Sequence, residues 1–463
     1  MNLPTENYEK VSKEALRHRI RRKRQSTRKK KVENINIDNI IAIGFDGRDD
    51  DTIVPTEVQT SQSKKIRYET QKKHHITVVA YPGGERLGHF QCDKKGKDIS
   101  DGLIKFCEER NLKLDEIYIL LCDGCATNTG RHKRVITCME IHLGRPLLLD
   151  SCLLHAIEKP LHHLIEHLDG PTDGPNSWSG PIGKKITGNV QNLPIAKFKI
   201  INNPNFPHCP PEVINKLNTD QRYMYKICKV IITGVVPEGF GDQRPGNMCH
   251  SRWLTTAARI CRVYLSEENP TEKHQRLVSY IIFVYMPSWL NVHWHSNIRY
   301  ASSHLLQEIK RVNDNCNEEE KNVVLPIIQV NGFAGTPEMV ILCMLMSDDR
   351  NLREEAIMKI VELRKKSPPK LRKRLANKIN FNATEINNIC SLEDTTEPPI
   401  TMKLSIEEIQ SYETHPFELN VPCHTQSVER NVKLTTECAG AVAGAQNQDG
   451  YAFNVIAARK AIP

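Results

Sequence analysis

Short apolar runs, not long ones, mark the first third of the chain. Residues 40–45 and 117–122 are continuous, apolar and rich in β-branched side chains, and each stops at an Asp-Gly dipeptide, which predicts two buried strands. Residues 75–81 form a further extended run, Pro82-Gly83-Gly84 supplies a turn, and residues 87–92 give another short run, so three strands are expected to follow one another as a meander. Residues 99–111 then place Ile99, Leu103, Ile104, Phe106 and Cys107 at helical spacing. A helix over 129–143, a fifth strand over 146–149 and a helix over 156–168, closed by Asp169-Gly170, complete the order βββαβαβα. The fold class expected is α/β.

Beyond Asp169 the period changes. Residues 223–232, 254–265, 275–285, 302–312, 337–346 and 352–364 all carry apolar positions three and four apart, and no strand pattern of comparable length interrupts them before Thr401. Pro and Gly cluster over 169–183 and 204–211, which read as loops bounding a helical domain. At 463 residues the chain is too long for one ordinary core, so two or more domains are expected. No period of 20–50 residues repeats, which argues against a solenoid.

Three acids stand out on this pattern. Asp46 and Asp123 each follow one of the apolar runs that end in Asp-Gly, and Glu429 lies in residues 427–436, a polar stretch of helix formers. Carboxylates fixed at strand ends and joined by one from a helix across the sheet suit two hard divalent ions, Mg²⁺ or Mn²⁺. Two such ions roughly 4 Å apart activate an attacking water and stabilise a leaving phosphate-ester oxygen. The competing reading makes Asp46-Gly47 and Asp123-Gly124 plain turns. Asp49, Asp50 and Asp51 compete with Asp46 as ligands, and Glu437 competes with Glu429.

Taken with Asn128 after Asp123, the Cys152-Leu153-Leu154-His155 motif after the fifth strand, Arg252-Trp253, and Ser427-Val428-Glu429-Arg430, the chain resembles cut-and-paste transposases of the hAT superfamily over roughly residues 38–440. The resemblance implies a ribonuclease-H-like mixed sheet flanked by helices and interrupted by a large, mainly helical insertion. The expected division is a basic disordered tail over 1–37, a first core segment over 38–168, the insertion over 169–400, and a closing segment over 401–463. It further implies metal-dependent endonuclease and strand-transfer chemistry on DNA by Asp46, Asp123 and Glu429, with Trp253 either stacking on an unpaired base or serving as a core tryptophan at the base of the insertion. No zinc-finger module precedes the catalytic segment and little chain follows the closing helix, so a truncated element is expected, or else a domesticated, non-catalytic DNA- or chromatin-binding derivative.

Charge and cysteine use narrow the partners. Of a formal net charge of +9, residues 15–31 hold ten Lys/Arg and no acid, so the rest of the chain is close to neutral. That segment, with Arg21, Arg22, Lys23 and Arg24 at its centre, has the composition of a nuclear import signal and of a grip on nucleic-acid phosphates. Residues 364–378 form a second basic cluster, and Arg252 and Arg430 are further DNA-contact candidates. Fifteen cysteines with a polar, basic N-terminus and no membrane-length apolar run point to reduced thiols in the nucleus. Zinc at Cys152 and His155, with Cys249-His250 or Cys423-His424, lacks a second paired half of finger type and is not expected. Cys152 and His155 instead read as a corner beside the active site. DNA is the expected partner, a homo-oligomer is left open, and no membrane partner is expected.

Overall fold

The computed structural model describes residues 13–33, 39–59, 64–130, 133–174, 177–188, 190–247, 253–366, 378–392 and 395–460. In chain order these form α1 (Lys13–Glu33), β1 (Ala42–Gln59), β2 (Lys64–Tyr81), β3 (Glu85–Gln91), α2 (Gly96–Glu108), β4 (Ile119–Cys122), α3 (Ala126–Thr129), α4 (Val135–Leu143), β5 (Leu148–Ser151) and α5 (Leu153–Asp169). A two-strand ribbon of β6 (Thr172–Gly174) and β7 (Ser177–Trp178) leads into α6 (Pro181–Thr187), α7 (Pro211–Lys216), α8 (Thr219–Thr233), α9 (Leu254–Tyr264), α10 (Glu272–Tyr280) and α11 (Met286–Trp294). Then come α12 (Ala301–Asn315), α13 (Glu318–Asn331), α14 (Pro337–Leu345), α15 (Arg350–Lys365), α16 (Ile406–Ser411), α17 (Gln426–Ala441) and α18 (Ala445–Lys460).

The chain is mixed α/β. Its five-stranded sheet has the order β3-β2-β1-β4-β5, with β1 antiparallel to β2, β2 antiparallel to β3, and β1 parallel to β4. The described residues fall into two compact units: the first contains those up to Leu149 together with those from Thr425 on, and the second those from Asp150 through His424. The second unit therefore takes in α5, which was expected with the sheet, because α5 packs on α13 and α10 through its apolar stripe of Ile157, Leu161, Leu164 and Leu168. Between Asp169 and Thr401 the longer elements of the described residues are helices, joined by extended loops such as 193–210 and preceded by the β6–β7 ribbon.

Two elements depart from expectation. β1 does not stop at Asp46-Gly47: it runs on to Gln59 in continuous antiparallel register with β2. Asp50 lies opposite Lys73 and Asp51 opposite Lys72, so the acidic run that looked like a turn is matched by the basic run of the partner strand, and opposite charges directly across a ladder support pairing. The β-formers Thr52, Ile53, Val54 and Val58 extend it. Likewise Lys13–Glu33 is a helix, not a disordered tail. It packs on α18, where the Arg24 guanidinium lies 5.5 Å from the centre of the Tyr451 ring.

Candidate active site

Asp46 projects from β1 toward α17. Residues directly opposite in an antiparallel ladder share a face. Asp46 pairs with Thr77, whose hydroxyl is 2.8 Å from that of Thr435 on α17, and two residues earlier a methyl placed on Gly44 would lie 2.9 Å from Val428 Cγ2. Tyr81, opposite Ala42, closes the seat through a hydrogen bond between its hydroxyl and that of Ser427. Helix α17 thus lies along the face of the sheet that bears Asp46.

Asp123 stands just past the end of the next strand. The parallel register sets Gly44 beside Leu121, and continuing it by two residues sets Asp46 beside Asp123, just past the end of β4. Asp46 therefore marks not the end of its strand but the point where β1 loses its parallel neighbour. The Asp123 carboxylate is held by Asn128, which is buried and donates from Nδ2 to Oδ1 at 2.6 Å; the backbone N–H of Cys125 approaches the same oxygen at 3.4 Å.

Glu429 lies in the first turn of α17. Ser427 and Asn431 occupy the flank of the helix over β2 and β3, bonded to Tyr81 and to Arg86, while Val428 sits over β1. At about 100° per residue Glu429 falls on the opposite flank, toward the β4 side of β1. Thr425 donates from Oγ1 to Glu429 Oε1 at 3.0 Å, which fixes the carboxylate, and the Gly47 N–H donates to Asp46 Oδ1 at 2.7 Å. The three acids do not form a group whose ligand oxygens all lie within 4.8 Å of one another. A single-ion cage would need that closeness. Two ions about 4 Å apart, each with oxygens at about 2.1 Å, admit outer oxygens roughly 8 Å apart.

The competing acids differ in their surroundings, and Asp51 is exposed. Asp49 is paired with His74 at 2.9 Å and with Lys94, which hold its carboxyl below the usual range. Asp50 is buried on the α17 side of β1 and burial raises its carboxyl, a feature that alternation along a long β1 would have foretold. Glu437 is exposed and lies 3.6 Å from Arg459.

The remaining candidates divide. Arg21, Arg22 and Lys23 are exposed on α1, and Arg430 is exposed on α17. Arg252, Cys249 and His250 lie outside the described residues, as do residues 367–377 of the second basic cluster, whose Arg364 is bonded to Glu397 and to the Thr401 carbonyl. Trp253, at the N-terminus of α9, stacks on His162 at 4.2 Å and meets Trp178 edge-on at 6.1 Å, so its ring is packed within its own unit. Cys152 is buried at the cap of α5 and His155 is half-buried in the first turn of that helix. Cys423 is fully buried, and burial with the nearby Asp150 raises its thiol well above the ordinary value, which opposes a thiolate ligand.

No helix among the described residues is long and apolar enough to cross a membrane. Neither a protein-family model nor a curated protein sequence matches this chain.

Proposed function

We propose that the sheet is of the ribonuclease-H-like type and that the chain is a DDE-type nuclease and strand transferase acting on DNA, related to the hAT transposases. One observation carries the proposal: the parallel pair Gly44 and Leu121 stands two residues before Asp46 on β1 and before Asp123 just past the end of β4, and Glu429 lies in the first turn of the helix laid over β1. Three carboxylates suit hard ions, and Mg²⁺ or Mn²⁺ bound there would supply an activated water or 3′-hydroxyl and stabilisation of the leaving oxygen. Asp46 would supply ligand oxygens from a backbone fixed by its ladder with β2, and Asp123 from the residue that follows β4. Asn128 and Thr425 hold Asp123 and Glu429 in position, so little side-chain freedom is lost on binding. The exposed Arg21, Arg22 and Lys23 would meet phosphates, and their composition fits a nuclear protein.

The test is nicking or joining of duplex, hairpin and transposon-end DNA with Mg²⁺ or Mn²⁺. Wild type should cut, and Asp123→Asn should bind DNA without cutting. Binding without cleavage by wild type would favour the second reading, a domesticated DNA- or chromatin-binding protein, which the exposed basic row of α1 supports by itself. A chain that neither binds nor cuts would end both.

A further inference from the structure

A second cluster of ligand atoms lies on α5, within the helical unit. His162, His163 and Glu166 each offer one ligand atom, and these atoms all lie within 4.8 Å of one another. His162 Nε2 is 3.6 Å from Glu166 Oε1 and His163 Nδ1 is 3.5 Å from Glu166 Oε2. Two ligands at about 2.0–2.1 Å on a tetrahedral ion stand roughly 3.3 Å apart, so the pairs are close to the spacing a zinc ion needs. Helical geometry explains the convergence. With His162 at the origin, His163 lies about 100° round the helix and Glu166 about 40° round, one turn higher and between the two rings.

The ring of His162 is prepared for a ligand role. Trp253 stacks on it at 4.2 Å and is itself met edge-on by Trp178, which fixes the imidazole plane. Its Nε2 is shielded from solvent and makes no hydrogen bond. Sequence spacing alone would offer His163 and His167, one turn apart. His167, however, faces Glu319 at 2.7 Å.

We propose that His162, His163 and Glu166 form a binding site for one zinc-class divalent ion, with the open position left to water. Imidazole nitrogens with one carboxylate select a borderline metal over Mg²⁺, so this site and the acids of the sheet would take different ions. The two sites stand independently.

The probe is Co²⁺ added to the full chain, read by visible absorption, with Zn²⁺ competition by calorimetry. One Co²⁺ per chain should give d–d bands without thiolate charge transfer in the near ultraviolet. Affinity should fall more than about tenfold in His163→Ala and in Glu166→Gln and stay unchanged in His167→Ala. Glu166→Gln keeps the side-chain shape, and its tryptophan emission without metal verifies the fold. No uptake by wild type, equal uptake by the two ligand variants, or charge-transfer bands on all bound cobalt would overturn the proposal.

Discussion

Gly44→Ala is expected to destabilise the unit that carries the acids by about 1–3 kcal/mol, the usual range for an extra methyl forced into a filled seat. That methyl would sit 2.9 Å from Tyr81 Cε2, 2.9 Å from Val428 Cγ2 and 3.6 Å from Leu121 Cδ2. Neither near neighbour has room to withdraw: Tyr81 is 3% exposed with its hydroxyl bonded to Ser427, and Val428 is fully buried. Relief requires the first turn of α17, which bears Glu429, to lift from β1. The sign is informative, because in an open strand the same change favours folding by about 0.5–1 kcal/mol. Trp178, Trp253, Trp289 and Trp294 all belong to the other unit, so fluorescence serves as the control and hydrogen exchange of the β1 and α17 amides as the readout. Adding Val428→Ala removes one of the two close contacts and should recover about 1 kcal/mol beyond additivity. Unchanged or stronger protection in Gly44→Ala, or strictly additive losses, would refute this seating of the helix.

Asn128→Ala should weaken divalent-ion binding at the acids about 10–100-fold, measured by Mn²⁺ titration, because Asp123 loses its 2.6 Å donor. Replacing Arg21, Arg22 and Lys23 by alanine should weaken DNA binding alike on all sequences and reduce the slope of log K against log salt by about 2–3. His75 is buried and held down to about 4 mainly by that burial, with His89, His74 and Arg86 adding to it. Its neutral form is favoured in the fold, so stability is complete above about 6.5 and falls by about 3 kcal/mol as pH drops from there to about 4. Hydrogen exchange across that window should show the loss, and His75→Gln should flatten it.

The meander, the β4 strand and the helical run after Asp169 were legible because each rests on a local period of two or 3.6. The length of β1 was not. Asp46-Gly47 followed by three aspartates reads locally as a turn, and only the cross-strand partners Lys72, Lys73 and His74 make it a strand. Helix α1 escaped for a similar reason: its basic face carries no strong apolar stripe, and its contact with Tyr451 comes from more than 400 residues away. Asp46, Asp123 and Glu429 were legible as types and as order along the chain. Their shared face depends on register and on the seat of α17, which no local pattern contains. His162, His163 and Glu166 differ in this respect: they lie within about one turn of α5, so their convergence follows from helical spacing alone.

The central claim is that Asp46, Asp123 and Glu429 hold divalent ions together. Mn²⁺ binding, measured by electron paramagnetic resonance on wild type and on Asp46→Asn, Asp123→Asn and Glu429→Gln in the presence of DNA, tests it most directly. Two ions per chain in wild type, with at least one lost in each of the three variants while DNA binding persists, is the predicted result. Equal Mn²⁺ stoichiometry and affinity in Glu429→Gln and wild type would contradict it.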